Sequence, residues 1–385
     1  MTKVDRGWRA ALGCLAVTLV VSGCAGDTAE PIPSVTQPTD LPSQPTPSDA
    51  TPSEAAPDEG AGTRTPEAVG AIAEGLEVPW GVDFLPDNAA VVTERVSGRV
   101  LRVTADGRVS GLGAIGAAVA QGEAGLLGTA VSPDFAEDRT LFFYVTTASD
   151  NRVVKARLEG SRLGTTTVVL DGIPAGFIHD GGRIAFGPDG HLYVTTGETG
   201  DPELAQDPDS LAGKILRITP DGEPAPGNPD PASPVWSLGH RNVQGLAWDD
   251  EGRLWASEFG DSAWDELNLV EKGGNYGWPR VEGSGGGPGL VDPQLVWPVE
   301  QASPSGLAYA DGHLWMAGLR GQRLWRIRVT ADGRATRPRA YLTEEYGRLR
   351  TVATAPDGLL WLTTSNRDGR GTPTEADDRI IRVRP

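Results

Sequence analysis

Cysteine is almost missing from this chain of 385 residues: both copies, Cys14 and Cys24, lie in the first 24 positions. The remainder can therefore hold no disulfide, no thiolate metal site and no catalytic thiol. Basic residues are also short, with 34 Lys and Arg against 52 Asp and Glu, for a formal net charge of −18. Such a surface repels phosphates, which excludes a nucleic-acid-binding role. No internal stretch approaches about 18 consecutive apolar residues, so a polytopic membrane protein is excluded too. Sustained helical periodicity is absent. What the chain has in quantity is glycine and proline, 51 and 31 residues, beside 38 % hydrophobic residues. That is enough apolar material for a core built from many short segments.

The N-terminal region is set apart by composition. Lys3, Arg6 and Arg9 precede an apolar run from Ala10 to Val21, which ends in Val21-Ser22-Gly23-Cys24. A basic start followed by a short apolar run is an export signal, not a spanning helix. The last four residues resemble a bacterial lipobox, which implies cleavage before Cys24 and acylation of its thiol; residues 1–23 are then the signal peptide. From 24 to 65 the chain is Pro, Thr, Ser, Asp and Glu, with prolines at 31, 33, 38, 42, 45, 47, 52 and 57. Such a segment buries too little apolar surface to offset its ordering entropy, and we read it as a stalk. The expected placement is extracytoplasmic, tethered to the cell membrane through the lipid alone.

Residues 66–385 carry a phrase repeated six times: an apolar strand, a Pro-Asp-Gly-like turn, then a second apolar and aromatic strand. The copies begin at Val82-Asp83-Phe84, Thr129-Ala130-Val131, Ile184-Ala185-Phe186, Leu246-Ala247-Trp248, Leu307-Ala308-Tyr309 and Val352-Ala353-Thr354. The turns supply Pro at a fixed φ and Gly or Asn where φ is positive. Third strands rich in Arg, Ile and Leu follow at Lys214–Ile218, Arg323–Ile327 and Arg379–Val383. A period of roughly 45 to 62 residues fits propeller blades. A sandwich would not repeat one turn in this way, and seven blades would need a degenerate copy. The expected fold is all-β, a six-bladed β-propeller of four-stranded antiparallel blades.

A propeller gathers loops from every blade, so polar residues far apart in sequence can converge. Four passages stand out: Gly122-Glu123-Ala124-Gly125, His179-Asp180-Gly181-Gly182-Arg183 with Gly197-Glu198 after it, Gly239-His240-Arg241-Asn242, and the run from Glu258 to Asn268. His179 before two glycines is suited to taking a proton near neutrality, the glycines letting a ligand come close; alone it is equally a turn cap. Glu198 either orients His179 or faces solvent. Arg241 beside Asn242 offers a donor fork and an amide for a carboxylate or carbonyl, or else a surface ion pair. The oxygens between Glu258 and Glu266 suit a hard cation such as calcium, without the spacing of an EF-hand. Arg320, Arg348 and Arg350 together can bind a polyanionic small molecule; singly each is an exposed Arg.

From Pro79-Trp80-Gly81 to the C-terminus, these motifs in this order resemble the soluble quinoprotein aldose and glucose dehydrogenases, which use pyrroloquinoline quinone (PQQ). The resemblance implies a six-bladed propeller with the quinone on one face and calcium activating it. It implies His179 as the base that takes the C1 hydroxyl proton of an aldose while hydride passes to the quinone, giving a lactone. Glu198, where the family has Asp, then orients His179, and Arg241 and Asn242 contact the quinone, Arg241 polarising its reacting carbonyl. The main-chain carbonyls of Gly260 and Asp261 (Pro in the family) hold the calcium. Arg320, in place of Lys, and the pair Arg348 and Arg350 grip the cofactor, while Glu123, in place of Gln, lies near the substrate. Electrons pass to an external acceptor. Two other classes compete: a non-enzymatic cell-surface binding propeller, and a metal-dependent lactonase, which needs side-chain carboxylates and Asn around one central metal. No amphipathic surface helix marks a dimer interface, so a monomer is expected.

Overall fold

The structure, a computed structural model, describes residues 64–385. The export signal, Cys24 and nearly all of the Pro-rich segment lie outside the described residues. The described residues form one compact unit.

Six antiparallel sheets follow one another along the chain. The first blade is built from Pro79–Phe84, Ala90–Glu94, Arg99–Val103 and Val109–Ala114. Leu126–Val131, Thr140–Thr146, Asn151–Glu159 and Thr167–Ile173 form the second, with the short Arg162–Leu163 strand at its side. The third comprises Ile184–Phe186, Leu192–Thr195, Lys214–Ile218 and Val235–Leu238. Blades four and five run Val243–Trp248, Leu254–Glu258, Trp264–Val270, Leu295–Pro298 and Pro304–Ala310, His313–Gly318, Arg323–Val329, Ala335–Tyr341. The sixth has Leu349–Thr354, Leu360–Thr364 and Ile380–Arg384, and borrows its outermost strand, Glu67–Ala73, from the start of the domain. This strand ties the two ends of the propeller together by backbone hydrogen bonds. The repeat did not reveal it, because Glu67–Ala73 is half exposed and carries no apolar alternation.

Each repeated phrase lies on the first strand of its blade and the turn after it. Strand alternation then explains the core, since each sheet face packs on a different neighbour. Phe143 packs with first-blade residues such as Val91 and Val100, while Phe142 and Tyr144, on the other face, pack with Ile184 and Val194 of the third. Trp255 faces blade five and Ala256 faces blade three in the same manner. Six apolar clusters result, one at each blade interface. Among the described residues the helices are single turns, Phe135–Asp138 and Pro202–Ala205.

The antiparallel order also sorts the loops. Turns between first and second strands all fall at one end of the blades. Loops from second to third strand, and crossings from one blade to the next, fall at the other end.

Candidate active site

Every site residue foreseen within the propeller occupies that second end. Glu123, His179, Arg241 and Arg348 stand in crossings just before the first strands of blades two, three, four and six. Glu198, Gly260, Asp261 and Arg320 follow the second strands of blades three, four and five. Arg350 lies at the start of the first strand of blade six, and Asn242 immediately precedes that of blade four.

His179 has φ of 58°, a left-handed conformation rare outside glycine. Its Nδ1 meets Glu198 Oε1; the His179 ring is 13 % exposed and the Glu198 side chain 1 %. Glu198 was expected to orient His179, and its carboxylate is committed to the imidazole while its second oxygen has no partner. The glycines around this pair serve the scaffold more than a ligand. A Cβ on Gly197 would lie 1.9 Å from the His179 carbonyl, and one on Gly181, at φ +64°, 2.6 Å from the Thr196 backbone. Gly181, expected to admit a ligand, and Gly197 let the segment before the first strand of blade three pass against the loop after its second.

Hydrogen bonds run from this pair to the other residues. Glu198 N donates to Arg241 O at 2.9 Å. Asn242 Oδ1 accepts from Gly181 N at 3.0 Å. Arg241 N donates to Glu258 Oε1 at 2.6 Å, and the other oxygen of Glu258 meets His240 Nδ1 at 2.7 Å. Glu258, foreseen as part of a cation-binding run, is thus spent on orienting the Arg241 backbone. Arg241 Nη2 donates to Asp261 Oδ1 at 2.9 Å, its guanidinium lies 5.3 Å from the Trp278 ring centre, and its buried Nε has no partner. The amides of Asp261, Ser262, Ala263 and Trp264 converge on Glu282 Oε1 at 2.7 to 3.0 Å. That carboxylate fixes the loop carrying Gly260 and Asp261.

Beside this cluster is a cavity of about 320 Å³ whose lining includes Glu123, Arg320, Arg348 and Arg350, together with Arg95, Arg370 and Asp368. Five guanidiniums face two carboxylates there, in a chain with an excess of acid. Arg348 donates to Asp368 from two nitrogens at 3.0 Å, and Arg350 Nη2 reaches the same oxygen at 3.4 Å. Burial drives the Arg350 guanidinium down to about 10, with Arg95 and Arg348 adding to the fall and Asp368 opposing it. Burial raises Asp368, but Arg350 and Arg348 outweigh it and hold the carboxyl below its ordinary value. Next to Arg350, Arg183 is pushed down to about 9 by burial and by Arg350 itself, and lies 4.2 Å over the Trp80 ring. Arg320 sits at the rim, with a side chain 58 % exposed. Glu123 links cavity and cluster, accepting His179 N at 3.0 Å and Arg370 Nη1 at 2.8 Å.

A family model for glucose/sorbosone dehydrogenases matches residues 76–380. The chain belongs to this glucose/sorbosone dehydrogenase family. It is similar to the PQQ-bound aldose sugar dehydrogenase of Streptomyces coelicolor, at 54 % identity and a TM-score of 0.80, covering 83 % of this chain and 98 % of that one. It is 28 % identical to the aldose sugar dehydrogenase YliI of Escherichia coli, over 78 % of this chain and 91 % of that one. Quinoprotein glucose dehydrogenase B of Acinetobacter calcoaceticus is 33 % identical over 55 % of this chain and 52 % of its own.

Three residues at this dehydrogenase site escaped the sequence reading: Arg95, Asp368 and Arg370. Each stands soon after a second strand, the position that Glu198, Gly260 and Arg320 hold in other blades. Scanning the whole of that loop in every blade would have found them.

Proposed function

We propose that this protein is a PQQ-dependent dehydrogenase that oxidises aldose sugars at C1 to lactones and passes the electrons to an external acceptor. One observation carries it: a proton-accepting pair, His179 with Glu198, beside a cavity with an excess of buried arginines. The cofactor class is a tricarboxylate, and the residues present fit it. Buried Nε atoms of Arg95 and Arg241 lack partners, and Arg348 and Arg350 share one carboxylate. Arg348, Arg350, Arg320, Arg241 and Asn242 would hold the cofactor, which when bound supplies the two-electron acceptor.

The chain's own residues do the rest. His179 takes the proton from the C1 hydroxyl as the C–H bond breaks, so no free alkoxide need form. Glu198 fixes the ring and stabilises the imidazolium. Calcium, if held as proposed, is bound by the carbonyls of Gly260 and Asp261; among the described residues neither carbonyl accepts a hydrogen bond. The Asp261 side chain is turned to Arg241, which leaves its carbonyl as the donor.

Among the described residues no group of three or more His, Cys, Asp or Glu side chains could hold a metal ion. A lactonase has no use for the arginines that line the cavity, and a plain binding propeller has none for the His179–Glu198 pair.

Reconstitution tests the proposal. The purified protein is titrated with PQQ and Ca²⁺ by absorbance, then given a panel of aldoses and a redox dye. Quinone- and calcium-dependent dye reduction is expected; no bound quinone and no reduction would return the binding propeller to the lead. Export and lipid anchoring through Cys24 belong to the same proposal. Mass spectrometry of the mature N-terminus should find an acylated Cys24, and Cys24→Ala should release the protein from the membrane fraction.

A further inference from the structure

Arg370 belongs to no motif singled out above. Its loop follows the second strand of the sixth blade, and its guanidinium reaches Glu123 across 247 residues of sequence at 2.8 Å. Glu123 in turn accepts the backbone N–H of His179 at 3.0 Å, and Asn242 Nδ2 approaches the same oxygen at 3.5 Å. The Glu123 backbone is pinned independently: Arg95 Nη1 donates to the carbonyls on either side, Gly122 at 2.6 Å and Ala124 at 3.2 Å. Only the carboxylate end of Glu123 is left to be set, and Arg370 is the side chain that sets it.

His179 needs such a restraint. At φ 58° its backbone is in a region that is strained for a non-glycine residue. The amide that Glu123 accepts is the one whose direction changes most if φ relaxes. We propose that Arg370 is a positioning residue: by pairing with Glu123 it holds the His179 amide, and so the left-handed backbone from which the imidazole meets Glu198. The inference rests on the reaction proposed above for the importance of His179, but the contact chain does not depend on it.

The loop gives the device a second connection. Arg370 N donates to Asp368 Oδ1 at 2.9 Å, and Asp368 is the carboxylate shared by Arg348 and Arg350. One turn of chain thus touches both the arginines of the cavity and the restraint on His179. The charged groups facing Glu123 are Arg370 and His179, with Arg95, Arg350 and Asp180 at longer range. Burial raises the Glu123 carboxyl, but Arg370 and the His179 amide outweigh it and keep it below its ordinary value. Glu123 is therefore a carboxylate throughout the neutral range.

The chain has four histidines, so protein labelled with ¹⁵N-histidine shows at most four backbone His amides, His179 among them. In Arg370→Ala the His179 amide should move and exchange faster with solvent, the other three staying in place. Arg370→Lys should restore it, because a charge at that position is sufficient. With quinone, calcium and sugar present, Arg370→Ala should lose roughly ten- to a hundredfold in kcat, with little change in KM or quinone affinity. Glu123→Ala and the double variant should be equally impaired, since both remove one chain of contacts. A His179 amide unchanged in Arg370→Ala, or an effect that adds to that of Glu123→Ala, would overturn the inference. Failure of the wild-type protein to oxidise any sugar would instead overturn the function, and the amide readout would still decide the role of Arg370.

Discussion

The two ends of the propeller use the same residue types for different purposes. At the turn end, Asp87, Asp189 and Asp357 each pair with an Arg on the third strand of the same blade: Arg102, Arg217 and Arg382. These three cations have their anion within their own sheet, and the pairs recur because the repeat recurs; Lys155 instead reaches Asp221 of the next blade at 2.8 Å. At the other end, links also run between blades, as with Glu123 and Arg370 or Arg350 and Gln244, and several groups remain short of partners. Buried nitrogens of Arg95 and Arg241 and a buried oxygen of Glu198 have none. Regular pairing that recurs with the repeat builds a scaffold, whereas an end where links cross between blades and several buried groups stay unpaired builds a site that a ligand can finish.

Substitutions at each end sharpen the contrast. The largest effect is expected for His179→Ala, which should lose roughly 10²–10⁴ in turnover while still binding quinone. Steady-state kinetics beside an absorbance titration checks it, and unchanged turnover would remove His179 from the chemistry. Next comes Arg348→Ala. Loss of a charge-assisted bidentate contact of about 1.5–3 kcal/mol should weaken quinone binding by roughly ten- to a hundredfold. Normal loading would show that Arg348 serves Asp368 alone.

Asp180→Asn probes the penalty of incomplete pairing. The Asp180 side chain is buried, accepts Asn151 Nδ2 and Gly176 N on one oxygen, and has no partner on the other. Burial pushes its carboxyl up from 3.8 to about 6 in the folded protein. The raised value means that its contribution to stability is fully present below pH 3.8 and is lost as pH rises through about 6. Urea melts should therefore show Asp180→Asn gaining on wild type across that window, by on the order of 1–3 kcal/mol above it. A constant difference at all pH values would mean that the charge is already paired. The smallest effect is expected at the turn end. Arg382→Ala breaks an exposed pair and should cost no more than about 1 kcal/mol, with kcat untouched. A larger loss, or any change in kcat, would blur the distinction between the ends.

The fold was legible because each blade writes its pattern locally. A first strand such as Ile184–Phe186, its Pro-Asp-Gly turn and the partner strand Leu192–Thr195 are neighbours in both sequence and space. The closing strand Glu67–Ala73 was not, since its partner Ile380–Arg384 lies at the far end of the chain. The site was legible in part. His179, Glu198, Arg241, Asn242, Arg348 and Arg350 stand in motifs whose residue types announce their chemistry. Arg95, Asp368 and Arg370 carry no such signal, for their roles come from what they touch.

Sequence alone determined six repeats, the all-β class, and the residues able to move a proton or hold carboxylates. These follow from periodicity and side-chain chemistry, which are local properties. Only the tertiary structure decided that Glu258 orients Arg241, that Asp368 lies between two arginines, and that Arg370 reaches the Glu123 carboxylate that accepts the amide of His179. The first two join segments of one blade and the third joins blades six, two and three; none is adjacent in sequence, so only folding brings them within hydrogen-bond range.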